Sequence, residues 1–150
     1  MADVRELRDL YQEVILEHSK KPRNYGPLSS ANHQAEGYNP LCGDHYTIFA
    51  NVKDGVINEI SFHGSGCAIS KASASMMTQT LKGKSIEDAE VWFNRFHDLV
   101  TGENHEADAL GKLAVFAGVS EFPLRVKCAT LAWHAMRAAL RGDQQAVSTE

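Results

Sequence analysis

Positive charge is scarce in this chain. Across 150 residues, 15 lysines and arginines stand against 19 aspartates and glutamates, giving a net charge of -4 and a pI near 6.0. Without a basic surplus or a polybasic segment, nothing in the composition favours nucleic acid or anionic lipid as a partner. Long apolar runs are missing as well. The opening MADVRELRDLYQEVILEHSKK is charged and periodic where a secretory leader has an apolar core, and no run is long enough to span a bilayer. A cytoplasmic protein without a membrane partner is therefore expected. Cysteine is sparse and odd in number, 3 in all. In a reducing compartment that argues against a disulfide framework and for metal ligation or thiol chemistry, with plain core filling as the alternative. Internal repeats, linkers and low-complexity segments are also lacking. At 43% hydrophobic, the chain can bury one core, and a single domain over 1–150 with a polar tail over about 143–150 is expected.

What is present reads as alternating helix and strand signals. Val4, Leu7, Tyr11, Val14 and His18 recur at helical steps over 3–20, and the stretch KPRNYGP ends that helix. Two β-branched and aromatic runs, 46–53 and 56–63, flank Asp54-Gly55, a strong signal for a two-residue hairpin turn. A helix opens at Ser65-Gly66-Cys67-Ala68-Ile69, carries Ile69, Ala72, Met76 and Thr80 on one side, and closes at Lys82-Gly83. Ser85, followed by Glu87 and Asp88, starts another through Trp92, Phe93 and Phe96 to about Val100. Residues 101–119 begin polar and become helical around Leu110, Leu113, Ala114 and Phe116, ending at Gly118. The last helix follows Pro123 and runs over about 125–141, with Val126, Ala129, Trp133, Met136 and Leu140 on one face.

The hairpin carries a geometric expectation about NPLCGDHY, where a thiol and a carboxylate stand two residues apart. If Asp54-Gly55 is a two-residue turn, the register carried back from Lys53 and Val56 puts Cys42 opposite Cys67, α-carbons about 4.5–5.5 Å apart. Asp44 shares their side of the ribbon, and Gly43, Gly64 and Gly66 loosen the ladder there. Cys128 falls in the first turn of the last helix and Cys67 at the start of its own, where the dipole favours a thiolate. Four such anionic groups repel one another unless a cation joins them, so the pattern points to a metal. Against it stand three unrelated buried cysteines, and a Cys-His dyad using His45, His63 or His134. A dinucleotide fingerprint at Gly64-Ser65-Gly66 is discarded, because Ile69 takes the third glycine position and no βαβ unit surrounds it.

At NPLCGD (39–44), GSGCAIS (64–70) and RVKCATLAW (125–133), and in the opening LYQEVIL helix, the sequence resembles the U-type iron–sulfur cluster assembly family, the IscU and NifU N-terminal-domain proteins, and most closely its zinc-binding SufU branch. In the scaffold branch a histidine precedes the third cysteine and a Leu-Pro-Pro-Val-Lys motif lies just upstream. Here Lys127 precedes Cys128, Phe122-Pro123-Leu124-Arg125-Val126 occupies the motif position, and a long interval separates Cys67 from Cys128. These departures favour sulfur transfer over cluster building. The resemblance implies an α+β fold, a small antiparallel sheet with helices packed against it, and a metal site at the open end of the hairpin and two helix N-termini. It implies Cys42, Asp44, Cys67 and Cys128 as ligands, Cys42 as the thiol that receives sulfur, and Arg125 as a partner-binding residue.

The ligand chemistry is compatible with that carry-over. Three thiolates and a carboxylate suit tetrahedral Zn2+, and Cys42, in a loop between Pro40 and Gly43, is the ligand freest to move. The resemblance implies a PLP-dependent, SufS-like cysteine desulfurase as sulfur donor and a SufBCD-like cluster scaffold downstream. An alternative makes the chain itself a scaffold for a transient [2Fe–2S] cluster on the same four residues, and a third makes zinc purely structural.

Overall fold

The computed structural model describes residues 4–103, 107–142 and 147–148. Four helices, α1 (Val4–Lys20), α2 (Ala68–Leu81), α3 (Ile86–Thr101) and α4 (Pro123–Arg141), accompany four strands, β1 (His33–Asn39), β2 (Asp44–Lys53), β3 (Val56–Ser65) and β4 (Val147–Ser148). A 3₁₀ segment, Ala107–Glu121, joins α3 to α4. The sheet order is β3-β2-β1-β4, an antiparallel meander with β4 added in parallel beside Gly37 and Tyr38 of β1. Helix α4 lies across β1 and β2, α2 packs against α4 and β3, and α1 rests on α2. This is the α+β architecture that the sequence led us to expect. No helix among the described residues is long and apolar enough to cross a membrane.

The hairpin turns as predicted and then departs from its predicted register. Asp54 and Gly55 both take left-handed backbone, φ 54° and 77°, as a type I′ turn requires. Lys53 faces Val56 and Val52 faces Ile57, but Asn51 faces Glu59, and the ladder runs one residue out of phase to His45 opposite Ser65. The extra residue is Asn58, a β-bulge. Its cause is legible in the apolar spacing: Ile57, Ile60 and Phe62 are all buried, and only a slip between the first two puts all three on one face. Cys42 and Cys67 are therefore not cross-strand partners, which corrects the register argument. Nor does Gly64 loosen the ladder. It sits inside it opposite Tyr46, at φ 147°, where a β-carbon would lie 2.1 Å from the His45 carbonyl oxygen.

Strand β1 escapes sequence reading because its inward positions are small or polar. Ala35, Gly37 and Asn39 are buried, and a β-carbon on Gly37 would sit 3.1 Å from Leu131 Cδ1 and 3.2 Å from Ala135 Cβ, so glycine is what lets α4 approach the sheet. The same economy of size governs α2. It buries Ser70, Ala72, Ser73, Ala74, Ser75, Met76, Met77, Thr78 and Leu81, far more than the single side predicted, because small side chains let neighbours close around it. The Ser73 hydroxyl donates to the Ala129 carbonyl at 2.6 Å and accepts from Trp133 Nε1 at 3.1 Å, pinning α2 to α4. Trp133 stacks on Phe96 of α3 with centroids 4.5 Å apart.

The other elements need smaller adjustments. In α1, Tyr11 and Val14 pack on the core and buried His18 receives the Ser75 hydroxyl at 2.7 Å, whereas the Val4 and Leu7 side chains lie outside the described residues. Ser85 caps α3 by accepting the Asp88 amide, and Gly102 ends it in left-handed backbone. The stretch expected to turn helical near Leu110 is 3₁₀ instead and runs on to Glu121, interrupted at Gly111 (φ 57°, ψ -126°), with Leu110, Leu113 and Phe116 in the core. Helix α4 starts at Pro123, whose fixed φ suits the first helical position. Cys128 consequently sits in the second turn, not the first. In the expected polar tail, 143–146 and 149–150 lie outside the described residues, while Val147 and Ser148 pair with the sheet.

A Gly64→Ala substitution should therefore cost about 3 kcal/mol or more, since the new methyl meets backbone that cannot move aside. Urea denaturation followed by circular dichroism checks this; an unchanged midpoint would contradict the close approach.

Candidate metal centre

Asp44, the first residue of β2, is fully buried, and no lysine or arginine pairs with it among the described ion pairs. Its Oδ1 accepts the Cys67 amide at 2.8 Å, which joins the start of β2 to the start of α2. Gly66 makes that approach possible: a β-carbon there would lie 2.6 Å from Asp44 Oδ1 and Ser70 Oγ and 2.5 Å from the Tyr46 hydroxyl. Cys67 is the N-cap of α2, its sulfur accepting the Ser70 amide at 3.4 Å, with Ser70 Oγ 3.6 Å away. Cys128 is buried on α4 and Cys42 half-buried on the β1–β2 connection, where Gly43 takes φ 72°.

From these anchor points the side chains of Cys42, Asp44 and Cys128 converge into one group, with Cys67 at its edge. The Cys42 and Cys128 sulfurs are 3.1 Å apart, and the ligand atoms of Cys42, Asp44 and Cys128 all lie within 4.8 Å of one another. Cys67 Sγ is 3.8 Å from Asp44 Oδ2 and accepts the Cys128 thiol. The thiols are free. Sulfurs sharing one tetrahedral zinc stand about 3.8 Å apart, so the pair opens by well under 1 Å to admit the ion. A buried carboxylate with no ion pair described for it, beside three sulfurs, is a donor set that fits zinc.

The electrostatics of the cluster are lopsided. The Cys67 thiol is lowered to about 6, first by the hydrogen bond from Cys128, against burial, and then by the Ser70 amide and hydroxyl. Cys128 is pushed far above the ordinary thiol range because it donates to Cys67, is buried, and faces Cys42 and the charges of Cys67 and Asp44. The expected dipole benefit thus applies to Cys67, at its helix start, and not to Cys128 one turn into its helix. The crowding of sulfurs and carboxylate thus favours the thiolate at Cys67 and holds the proton on the enclosed Cys128.

The other sequence candidates are engaged elsewhere. His45 points at Glu36, 3.9 Å away, His63 lies against Tyr25, and His134 packs on Phe93 and His97, where burial lowers it to about 4. The Cys-His dyad therefore loses its imidazole. Arg125 is exposed, its guanidinium 4.3 Å from the Phe122 ring centroid, near exposed Leu124 in the first turn of α4. Sequence reasoning missed the parts played by Asn39 and Ser70 and gave Gly66 a different one, loosening the ladder, where it in fact admits Asp44. Ser70 had a signal, standing three residues beyond a helix-capping position, and Asn39 heads the very motif that holds Cys42.

A family model described as NifU-like N terminal domain matches residues 10–129. A zinc-dependent sulfurtransferase SufU from Bacillus subtilis is 42% identical over 131 residues, covering 87% of this chain and 88% of that protein. An iron–sulfur cluster assembly scaffold protein IscU from Streptococcus pyogenes is 39% identical over 141 residues, covering 93% and 88%. The crystal structure of an iron–sulfur cluster assembly scaffold protein for the SUF system from Fervidobacterium islandicum superposes with a TM-score of 0.82 at 32% identity, covering 89% of this chain and 98% of that one.

In metal-free, reduced protein, alkylation of Cys67 should rise through about pH 6, while Cys128 stays slow until far more alkaline pH. The sign follows from the lowered Cys67 value: its thiolate is already present at neutral pH and is lost as pH falls through about 6. Peptide mass spectrometry across a pH series checks this, and parallel profiles for the two cysteines would contradict it.

Proposed function

The chain belongs to the NifU-like N-terminal domain family of iron–sulfur cluster assembly, and from that premise we propose that it is a zinc-dependent sulfurtransferase. Cys42, Asp44, Cys67 and Cys128 are its zinc ligands, and Cys42 is the thiol that accepts sulfur from a PLP-dependent, SufS-like cysteine desulfurase. The observation that carries this reading is the unequal mounting of the three sulfurs around one buried carboxylate. Cys67 and Cys128 are built into α2 and α4, which Ser73 pins together, whereas Cys42 rides on a short connection between strands.

Zinc bound there supplies a Lewis-acid centre that keeps the thiolates deprotonated and protected from oxidation. Cys42 leaves the cluster on its loop and attacks the terminal sulfur of the desulfurase persulfide. The new S–S bond forms at Cys42, the old one breaks, and the desulfurase cysteine departs as a thiolate, so two electron pairs move and nothing is oxidised or reduced overall. Asp44, fixed by the Cys67 amide, stays with the other two sulfurs while Cys42 is away. Arg125, exposed beside Phe122, is the proposed partner contact. A SufBCD-like cluster scaffold is the proposed receiver of the sulfur.

The rival reading, assembly of a [2Fe–2S] cluster on the same residues, is favoured by the IscU relative at 39% identity. Protein purified without oxygen should hold about one zinc per chain and no colour, because one domain supplies a full tetrahedral set; bound iron with labile sulfide would instead support the scaffold. Mixed with a cysteine desulfurase and cysteine, it should carry persulfide on Cys42 by mass spectrometry. Cys42→Ser should abolish that loading and keep the fold, a hydroxyl being a far poorer nucleophile near neutral pH. Persulfide on Cys128, or undiminished turnover of the serine variant, would overturn the assignment. Arg125→Ala should raise the KM for the desulfurase and leave kcat unchanged, as a lost rim charge does; an unchanged KM would remove Arg125 from the interface.

A further inference from the structure

Asn39 is a fully buried polar residue, the last of β1, directly opposite Asp44. Both ends of its amide are used on one loop. Oδ1 accepts the Leu41 amide at 3.1 Å, and Nδ2 points to the Cys42 sulfur at 3.8 Å. Its backbone carbonyl also accepts the Cys42 amide at 3.3 Å. The Leu41 contact settles which way round the side-chain amide stands, because only the oxygen accepts from a backbone N–H; the nitrogen is then left facing sulfur. The other two sulfurs are served differently. Cys67 receives a backbone amide of its own helix, and Cys128 contacts the other thiols.

We propose that Asn39 is the positioning residue of Cys42, holding its sulfur at the metal. The inference deepens the proposed function and rests on it, since it presumes that Cys42 is a zinc ligand. Asn39 is buried at the strand end from which the loop springs and is paired with Asp44, so its N–H meets the Cys42 sulfur while that sulfur sits in the cluster, where it would otherwise stand as a bare anion beside Asp44. Oδ1, by holding the Leu41 amide, favours the loop conformation that brings the sulfur to that place.

The test is a set of zinc affinities measured by chelator competition, which needs no sulfur transfer. Asn39→Ala should weaken zinc binding about ten-fold, the usual scale for residues that orient a ligand. In the Cys42→Ser background the same substitution should change affinity by less than about two-fold, whereas in the Cys67→Ser background it should keep its full effect. A residue that merely supported the fold would act in both backgrounds alike. Asn39→Asp covers the case in which alanine unfolds the loop: it keeps the volume and the acceptor for Leu41 but replaces the N–H with an anionic oxygen next to sulfur. It too should weaken zinc, while the metal-free protein keeps its folded circular-dichroism spectrum at low temperature even though the buried carboxylate lowers its melting temperature. The proposal is overturned if Asn39→Asp binds zinc as tightly as the unsubstituted protein, or if the alanine penalty survives in Cys42→Ser. Absence of persulfide loading with the zinc cycle as described would sink the sulfurtransferase reading and leave the role of Asn39 intact; the opposite pattern would sink only Asn39.

Discussion

A carboxylate removed from water without a positive partner is among the least comfortable groups a protein can hold, and Asp44, with no exposed surface at all, has no described ion pair. Among the described residues its close donor is the backbone amide of Cys67. That bond joins the beginning of β2 to the beginning of α2, and everything near it is arranged around the approach. Gly66 has no side chain because one would occupy the space of Asp44, Ser70 and Tyr46, and the Tyr46 hydroxyl meets Ser70, which in turn serves the Cys67 sulfur. The remaining demand of Asp44 is for a cation, and three sulfurs point the same way. The case for a metal at this centre thus rests on burial as much as on ligand type.

Around that carboxylate the fold gives each sulfur a different mechanical support. Ser73 holds α2 to α4 from inside the core, and Trp133, Phe96 and Phe116 fill the space behind it, so Cys67 and Cys128 belong to one rigid body. Cys42 belongs to the strand connection. The proposed sulfur transfer asks one thiolate to move while the others stay in place, and the placement of Cys42 on the strand connection supports that reading.

Much of this was legible in the sequence. The Asp54-Gly55 turn, the Ser85 cap, and the apolar faces of α1 from Tyr11 on, of α3 and of α4 follow from local patterns whose physics is local, whereas the grouping of Cys42, Asp44, Cys67 and Cys128 came from the family resemblance and not from the hairpin register. Strand β1 was not legible, because Ala35, Gly37 and Asn39 face the core without looking apolar, and their fitness depends on how near α4 comes. Asn39 stayed hidden for the same reason: a polar residue beside a proline reads as loop until its neighbours are known. The first turn of α4 was misplaced by the two residues that Pro123 adds, enough to change the electrostatics inferred for Cys128. The bulge was present in the spacing of Ile57, Ile60 and Phe62, but a strong turn signal outweighed it.

That bulge makes the chemistry of the centre depend on chain length at a remote place. Asn58 lies near the hairpin tip, at the opposite end of the ribbon from the cysteines, yet it sets the phase in which β3 arrives at Ser65 and hence where Gly66 and Cys67 stand relative to Asp44. An insertion or deletion there would leave every ligand in the chain and still rotate one of them to the wrong face. Among relatives, the presence of the four proposed ligands is therefore a weaker guide to a working centre than an unchanged number of residues between Gly55 and Cys67.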